Sequence, residues 1–122
     1  MGERAKVLVV DDDRVVRQSY QTPRETFDVN VTGTACVLDS VKRLGKPCAV
    51  IVVTSDKCYE NREQVWGYRE NDAMGEHDPY GGSKGAAELL IRSYRDSFFP
   101  PEHVQRHGVK LASARAGNVV GG

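Results

Sequence analysis

The sequence has no long hydrophobic run. Its longest apolar stretch, Ala49 to Val53, is far short of the roughly 20 residues that a helix needs to span a bilayer. Charges interrupt the N-terminal end, so no secretory signal is read there, and no membrane partner is expected. Cysteine is scarce and odd in number: Cys36, Cys48 and Cys58, without a close C-x-x-C pair. That excludes a disulfide framework and is read as a reduced, cytoplasmic setting. Neither sign of charge is in excess, with 17 Lys plus Arg against 17 Asp plus Glu in 122 residues. Nothing therefore predicts attraction to nucleic acid. Repeats and low-complexity tracts are absent. So is a G-x-G-x-x-G or G-x-x-G-x-x-G turn behind a first strand, which would bring a pyrophosphate onto a helix N-terminus.

What is present fits a soluble globular chain of one domain: 39% hydrophobic and 28% charged residues. Lys6-Val-Leu-Val-Val10 reads as a short strand ended by Asp11-Asp12-Asp13. "RVVRQSY" reads as a turn or two of helix that Pro23 limits. From Glu25 to Arg43 the apolar positions Phe27, Val31, Ala35, Leu38 and Val41 recur at three or four, which predicts a helix closed by Gly45-Lys-Pro47. Gly33 weakens that helix unless something packs tightly against it. "CAVIVV", residues 48–53, is apolar without alternation and reads as a fully buried strand of a parallel sheet. Thr54 to Pro79 is a connection longer than loops usually are, which points either to a functional loop or to an element assigned wrongly. A second helix is expected from Tyr80 to Phe98, with Ala87, Leu90, Ile91, Tyr94 and Phe98 as its apolar stripe and Pro100-Pro101 as its stop. "VKLASARAGNVVGG" opens as another buried strand. The order of elements predicts a three-layer α/β domain.

Tyr80 and Lys84 are four residues apart at a helix start, so they share one helix face. Thr54, Ser55, Asp56 and Lys57 fall at the carboxyl end of a strand, the edge where open α/β sheets bind ligands. If both edge one crevice, a hydroxyl, a carboxylate, a phenol and an ammonium converge. A phenol is a poor base at neutral pH, but a neighbouring lysine cation favours the phenolate and makes proton abstraction from an alcohol reasonable. Ser55 is then a donor to the oxygen whose charge changes. The spacing alone does not separate this pair from a surface tyrosine beside a surface lysine. Serine and aspartate after a strand are also ordinary turn formers.

The segments "VTSDKCYENREQVWGYRENDAMGEHDPYGGSKGAAELL" and "SARAGNVVGG" resemble the central part of an extended short-chain dehydrogenase/reductase. Within that superfamily, the similarity is greatest to the CDP-glucose 4,6-dehydratases, and it runs from Val15 through "RQSYQTPRETFDVNVTGT" to Gly122. Where other sugar-nucleotide dehydratases carry Thr-Asp-Glu, this chain has Ser55, Asp56 and Lys57; the lysine resembles the CDP-glucose branch. The resemblance implies a partial Rossmann-like parallel sheet with flanking helices, lacking the first dinucleotide-binding unit and the sugar-nucleotide domain. Residues 1–13 are then an atypical N-terminal strand segment, and residues 14–122 a partial NAD-dependent epimerase/dehydratase domain.

It also implies the chemistry. Tyr80 takes the proton of the sugar 4-hydroxyl as hydride passes to NAD, water is lost across C5 and C6, and hydride returns to C6. Asp56 protonates the departing 6-hydroxyl, and Lys57 assists removal of the C5 proton. Tyr80, Lys84 and Asn30 lie at the cofactor; Arg115 and Asn118 lie toward the nucleotide-sugar substrate. Because the glycine fingerprint is missing, NAD binding and turnover by this chain alone are not expected. Lys57 has a plainer reading as a surface lysine after a turn, and Asn30 as a residue satisfying a nearby backbone group. Gly81, Gly82 and Gly85 follow the tyrosine rather than a first strand, so they are no phosphate cradle. The paired glycines are expected to loosen the helix start.

"KVLVVDDD" resembles the opening of a response-regulator receiver domain, with Asp56 as a phosphoacceptor candidate and Asp12 and Asp13 as Mg²⁺ ligands. That is one competing reading, and "TSDKCYENRE" lacks a receiver-like continuation; a non-catalytic remnant of the enzyme is the other. His103 and His107 have metal-compatible spacing but no cysteine nearby to complete a zinc set, so no metal site is assigned. A partial α/β domain leaves apolar surface uncovered, which makes self-association a partner expectation.

Overall fold

A computed structural model describes residues 15–117 and 120. The strand expected at Lys6–Val10 and the acidic run after it lie outside the described residues, as does Asn118.

Helix α1 spans Val15–Gln21 and α2 spans Pro23–Phe27. Pro23 limits the first helix and also opens the second, because the first turn of a helix has no use for the N–H that proline lacks. The single helix expected over Glu25–Arg43 is divided. After α2 the backbone stays right-handed helical but widens into a π-turn at Asp28–Thr32, and α3 resumes over Gly33–Leu44. Nothing packs tightly on Gly33, where an added methyl would meet only the Asp28 carbonyl at 3.8 Å. The widened turn carries Asn30 into the interior, and π-turns of this kind recur at functional sites. Gly45, at φ 61°, closes α3 in the left-handed conformation that glycine adopts without penalty.

Strands β1 (Cys48–Ser55) and β2 (Val109–Ala116) pair in parallel, with Cys48 opposite Val109 and Ser55 opposite Ala116. Between them run a 3₁₀ turn at Asp56–Cys58, a long loop, and helix α4 at Pro79–Phe98. Two short helical pieces that the sequence did not suggest, Pro101–His103 and α5 (Val104–His107), lead into β2. Asp78 caps α4 by accepting from the Gly81 N–H at 2.9 Å, and Pro79 occupies its first turn.

The core lies where α3 and α4 cross the sheet. Leu38, Ile91 and Phe99 pack against Val50, Val52, Val109 and Leu111. Val50, Val52 and Thr54 point to the helices, while Ile51, on the other face, is 39% exposed beside Lys110 and Ala112. β1 is therefore not fully buried, and the described residues form two layers, not three. A strand apolar on both faces is written for covers on both sides; here the helices supply one.

Candidate active site

Helix α4 sits directly on the turn that follows β1, and glycine is the reason. A methyl on Gly81 would lie 2.6 Å from the Lys57 carbonyl oxygen and 2.3 Å from Glu76 Cβ. On Gly85 it would lie 3.3 Å from the Cys58 carbonyl oxygen. These two glycines are four residues apart, so they form one bare stripe along α4, and each follows a residue of the Tyr80–Lys84 pair. Gly81 does not loosen the helix start. Its missing side chain lets the helix backbone approach the strand-end turn closely.

Tyr80 and Lys84 are both buried, at 6% and 4% exposure. The Lys84 Nζ stands 5.6 Å from the Tyr80 ring centroid. Ser55 is buried; its hydroxyl accepts from the Lys57 N–H at 3.1 Å and donates to Asp56 Oδ1 at 3.2 Å. Asp56 and Lys57 are exposed on the turn. A methyl on Gly117, just past β2, would sit 3.3 Å from Asp56 Oδ2, so the ends of both strands meet at this carboxylate. Asn30 donates from Nδ2 to the Ser83 hydroxyl at 2.9 Å, and Ser83 donates to the Tyr80 carbonyl at 2.7 Å. Asn30 thus reaches the backbone of the tyrosine through one serine. Ser83 and its role were not legible in the sequence.

Arg115 is engaged in the fold. Its guanidinium donates to Tyr59 Oη at 2.9 Å and to the Glu70 carbonyl at 3.0 Å, and it pairs with Glu88 at 3.2 Å. Glu88 is 4% exposed and also accepts from the Thr54 and Ser113 hydroxyls. Burial pushes the Glu88 carboxyl up, but the bonds from Arg115, Thr54 and Ser113 outweigh it and hold the group below the usual carboxylate range. Burial also pushes the Cys58 thiol up, to about 11, with Arg115 pulling the other way. The loop after the turn is tied at both ends. Tyr59 bridges to Met74, the Glu60 N–H donates to the Ala73 carbonyl at 2.9 Å, and Tyr59 stacks on Tyr68 with centroids 5.0 Å apart. Asp56, Tyr59, Tyr68, Glu88 and Arg115 line an open groove of about 970 Å³ along β2.

Among the described residues, no group of three His, Cys, Asp or Glu side chains could hold a metal ion. The ligand pair of the receiver reading, Asp12 and Asp13, lies outside the described residues. His107 accepts from the Val109 N–H at 3.0 Å through Nδ1, and its Nε2 lies 3.0 Å from the Pro100 carbonyl. No helix among the described residues is long and apolar enough to cross a membrane.

A parallel sheet whose strand-end Ser-Asp-Lys turn receives a Tyr-x-x-x-Lys helix defines a Rossmann-like chain of the short-chain dehydrogenase/reductase type. The chain belongs to the GDP-mannose 4,6 dehydratase family, whose model matches residues 13–104. That match contains Asn30, Ser55, Asp56, Lys57, Tyr80 and Lys84 and ends before Arg115. The chain is 57% identical over 108 residues to the CDP-glucose 4,6-dehydratase of Salmonella typhimurium, covering 88% of this chain and 30% of that protein. A UDP-glucose 4-epimerase from Brucella ovis in complex with NAD shares the fold with a TM-score of 0.72 at 23% identity, over 93% of this chain and 31% of that one. A dTDP-glucose 4,6-dehydratase from Streptomyces venezuelae with NAD bound does so with a TM-score of 0.73 at 21% identity, over 89% and 31%. The chain spans about 30% of the length of the curated relatives it matches.

Tyr80 and Lys84, a phenol and an ammonium, are the groups here whose chemistry fits the ribose end of NAD. No glycine stands at the end of β1, where Thr54-Ser55-Asp56-Lys57 occupies the turn, so this strand provides no pyrophosphate cradle.

Proposed function

We propose that this chain supplies the reacting wall of an NAD-dependent 4,6-dehydratase that acts on CDP-glucose. The observation that carries the reading is the seating of α4 on the Lys57–Cys58 turn through Gly81 and Gly85, the residues next to Tyr80 and Lys84. The 57% identity to a CDP-glucose 4,6-dehydratase supports the choice of sugar nucleotide.

Tyr80 accepts the proton of the sugar 4-hydroxyl. Lys84, 5.6 Å from its ring, favours the phenolate that can do so, and would hold the ribose of the cofactor. When bound, NAD supplies reversible hydride acceptance. Loss of hydride from C4 leaves a 4-ketone, which acidifies the proton on C5. Lys57 assists removal of that proton and Asp56 gives one to the 6-hydroxyl as it leaves, so one water departs; C6 then receives the hydride and C5 takes back a proton from Lys57. Both side chains reach from the exposed side of the turn. Ser55 donates to the C4 oxygen as its charge changes. Asn30 acts through Ser83 on the Tyr80 backbone. Arg115 serves this wall by holding Glu88, and Asn118 is assigned to the nucleotide-sugar.

The test is a chimera in which the matching segment of the Salmonella enzyme is replaced by residues 15–117. It is expected to dehydrate CDP-glucose, and Tyr80→Phe within it to lower kcat by about 10²–10⁴-fold. A folded chimera that binds NAD and CDP-glucose but produces no 4-keto sugar refutes the proposal.

A further inference from the structure

Glu88 has no part in the reaction above, yet it sits on the same face of α4 as the two residues that do. It lies one turn beyond Lys84 and two beyond Tyr80. Its Oε1 accepts from the Thr54 hydroxyl and faces Arg115 Nε at 3.2 Å. Its Oε2 accepts from the Ser113 hydroxyl at 2.9 Å and from an Arg115 amino group at 3.3 Å. Thr54 immediately precedes Ser55 on β1, while Ser113 and Arg115 belong to β2. One carboxylate therefore joins α4 to the carboxyl-end halves of both strands. Arg115 extends the junction to Tyr59 and Glu70, at the two sides of the long loop.

Such a group adds little net stability. Taking a carboxylate and a guanidinium out of water offsets much of what their attraction returns, and the best-attested use of a buried pair is to fix register. Gly81 and Gly85 set how closely α4 approaches the turn, but two bare positions do not set its rotation. A carboxylate with directional bonds to three side chains does.

We propose that Glu88, held by Arg115, is a positioning residue that fixes the rotation of α4 on β1 and β2 and so sets where Tyr80 and Lys84 stand relative to the turn after β1. The inference rests on the reading of Tyr80 and Lys84 as the acting pair. It is tested on the full chain by following ionisation of Tyr80 through its phenolate absorbance, isolated by subtracting the Tyr80→Phe variant. Circular dichroism at each pH confirms that each variant is folded. Glu88→Gln is expected to move the Tyr80 transition to higher pH, because a rotated α4 carries the phenol away from the Ser55 hydroxyl of the turn, while its spacing from Lys84 on the same helix is unchanged. Removing a negative charge without any rotation would move it the opposite way. Glu88→Asp, which keeps the charge, returns it part of the way. Thr54→Val deletes a single bond to Glu88 and gives a smaller shift of the same sign, and it carries the test if Glu88→Gln does not fold.

A transition that stays in place or falls in both Glu88→Gln and Thr54→Val, while Lys84→Met raises it, overturns the positioning role alone. If Lys84→Met also leaves Tyr80 unmoved, the reading of the pair itself fails and the inference falls with it.

Discussion

Neighbouring glycines in α4 should respond to the same substitution with opposite signs. In a helix interior, alanine is favoured over glycine by about 1 kcal/mol, because it has less backbone freedom to lose on folding. At Gly82 little opposes that gain. The nearest atoms to an added methyl are Phe27 Cζ at 3.7 Å and the Glu76 carbonyl oxygen at 3.8 Å, both ordinary contacts. Gly82→Ala is therefore expected to stabilise the chain by about 0.5–1 kcal/mol. At Gly81 the same methyl would meet the Lys57 carbonyl at 2.6 Å and Glu76 Cβ at 2.3 Å. Neither is the free end of a long side chain that can swing away. One is backbone and the other is the first atom beyond it.

Relief requires α4 or the strand-end turn to move, and overpacking of this kind costs about 1–3 kcal/mol. The helix gain offsets part of that, leaving Gly81→Ala destabilised by up to about 2 kcal/mol. The two variants should thus differ by about 1–3 kcal/mol. With a urea slope of about 1–3 kcal/mol per molar, their midpoints separate by on the order of 1 M. Urea unfolding followed by far-ultraviolet circular dichroism reads this directly. If Gly81→Ala is as stabilising as Gly82→Ala, the helix does not lie against the turn as described, and the seating of Tyr80 and Lys84 goes with it.

Leu38 is fully buried between α3 and the sheet, so Leu38→Ala should cost about 2–5 kcal/mol in the same unfolding assay. Ile51→Ala, on the face that no helix among the described residues covers, should cost about 1 kcal/mol or less; equal losses would refute the two-layer arrangement. Cys58 provides a pH test. Burial raises its thiol from 9.0 to about 11, so the native state favours the neutral form. The associated stability is fully present below the ordinary value of 9.0 and is lost as pH rises through about 11. Urea midpoints measured across that window should fall more steeply for the wild-type chain than for Cys58→Ala; parallel curves would refute it.

The elements that periodicity describes were legible. The stripe Ala87, Leu90, Ile91 and Tyr94 faces inward on a helix that Pro100 and Pro101 follow, although Phe98 is exposed and Phe99 takes the core position, and both strand segments pair as parallel strands. Two features escaped for physical reasons. Periodicity reports an average phase, so a single widened turn at Asp28–Thr32 is hidden inside a pattern that still reads as helix. Burial on two faces and on one cannot be told apart in "CAVIVV", since the residue types record which covers a strand suits and not which are there. Glycine was misjudged for a different reason. A pair of glycines reads locally as flexibility, but at Gly81 the absent side chain answers a contact with Lys57, 24 positions away in the chain.

The same distance in sequence explains Arg115. In "RAGNVVGG" the family resemblance assigns Arg115 toward the nucleotide-sugar, and an arginine at a strand end shows no partner in its own segment. Its partner lies on α4, inside an apolar stripe where a lone glutamate reads as the solvent-facing member of the helix. Only the packing of α4 across both strands turns Glu88 inward, next to Thr54 and Ser113, and makes one arginine and one glutamate into a pair. Charge at the edge of a sheet is thus ambiguous until its counter-charge is located. Asp56 and Lys57 are exposed on the turn, while Arg115 and Glu88 are paired with each other behind it.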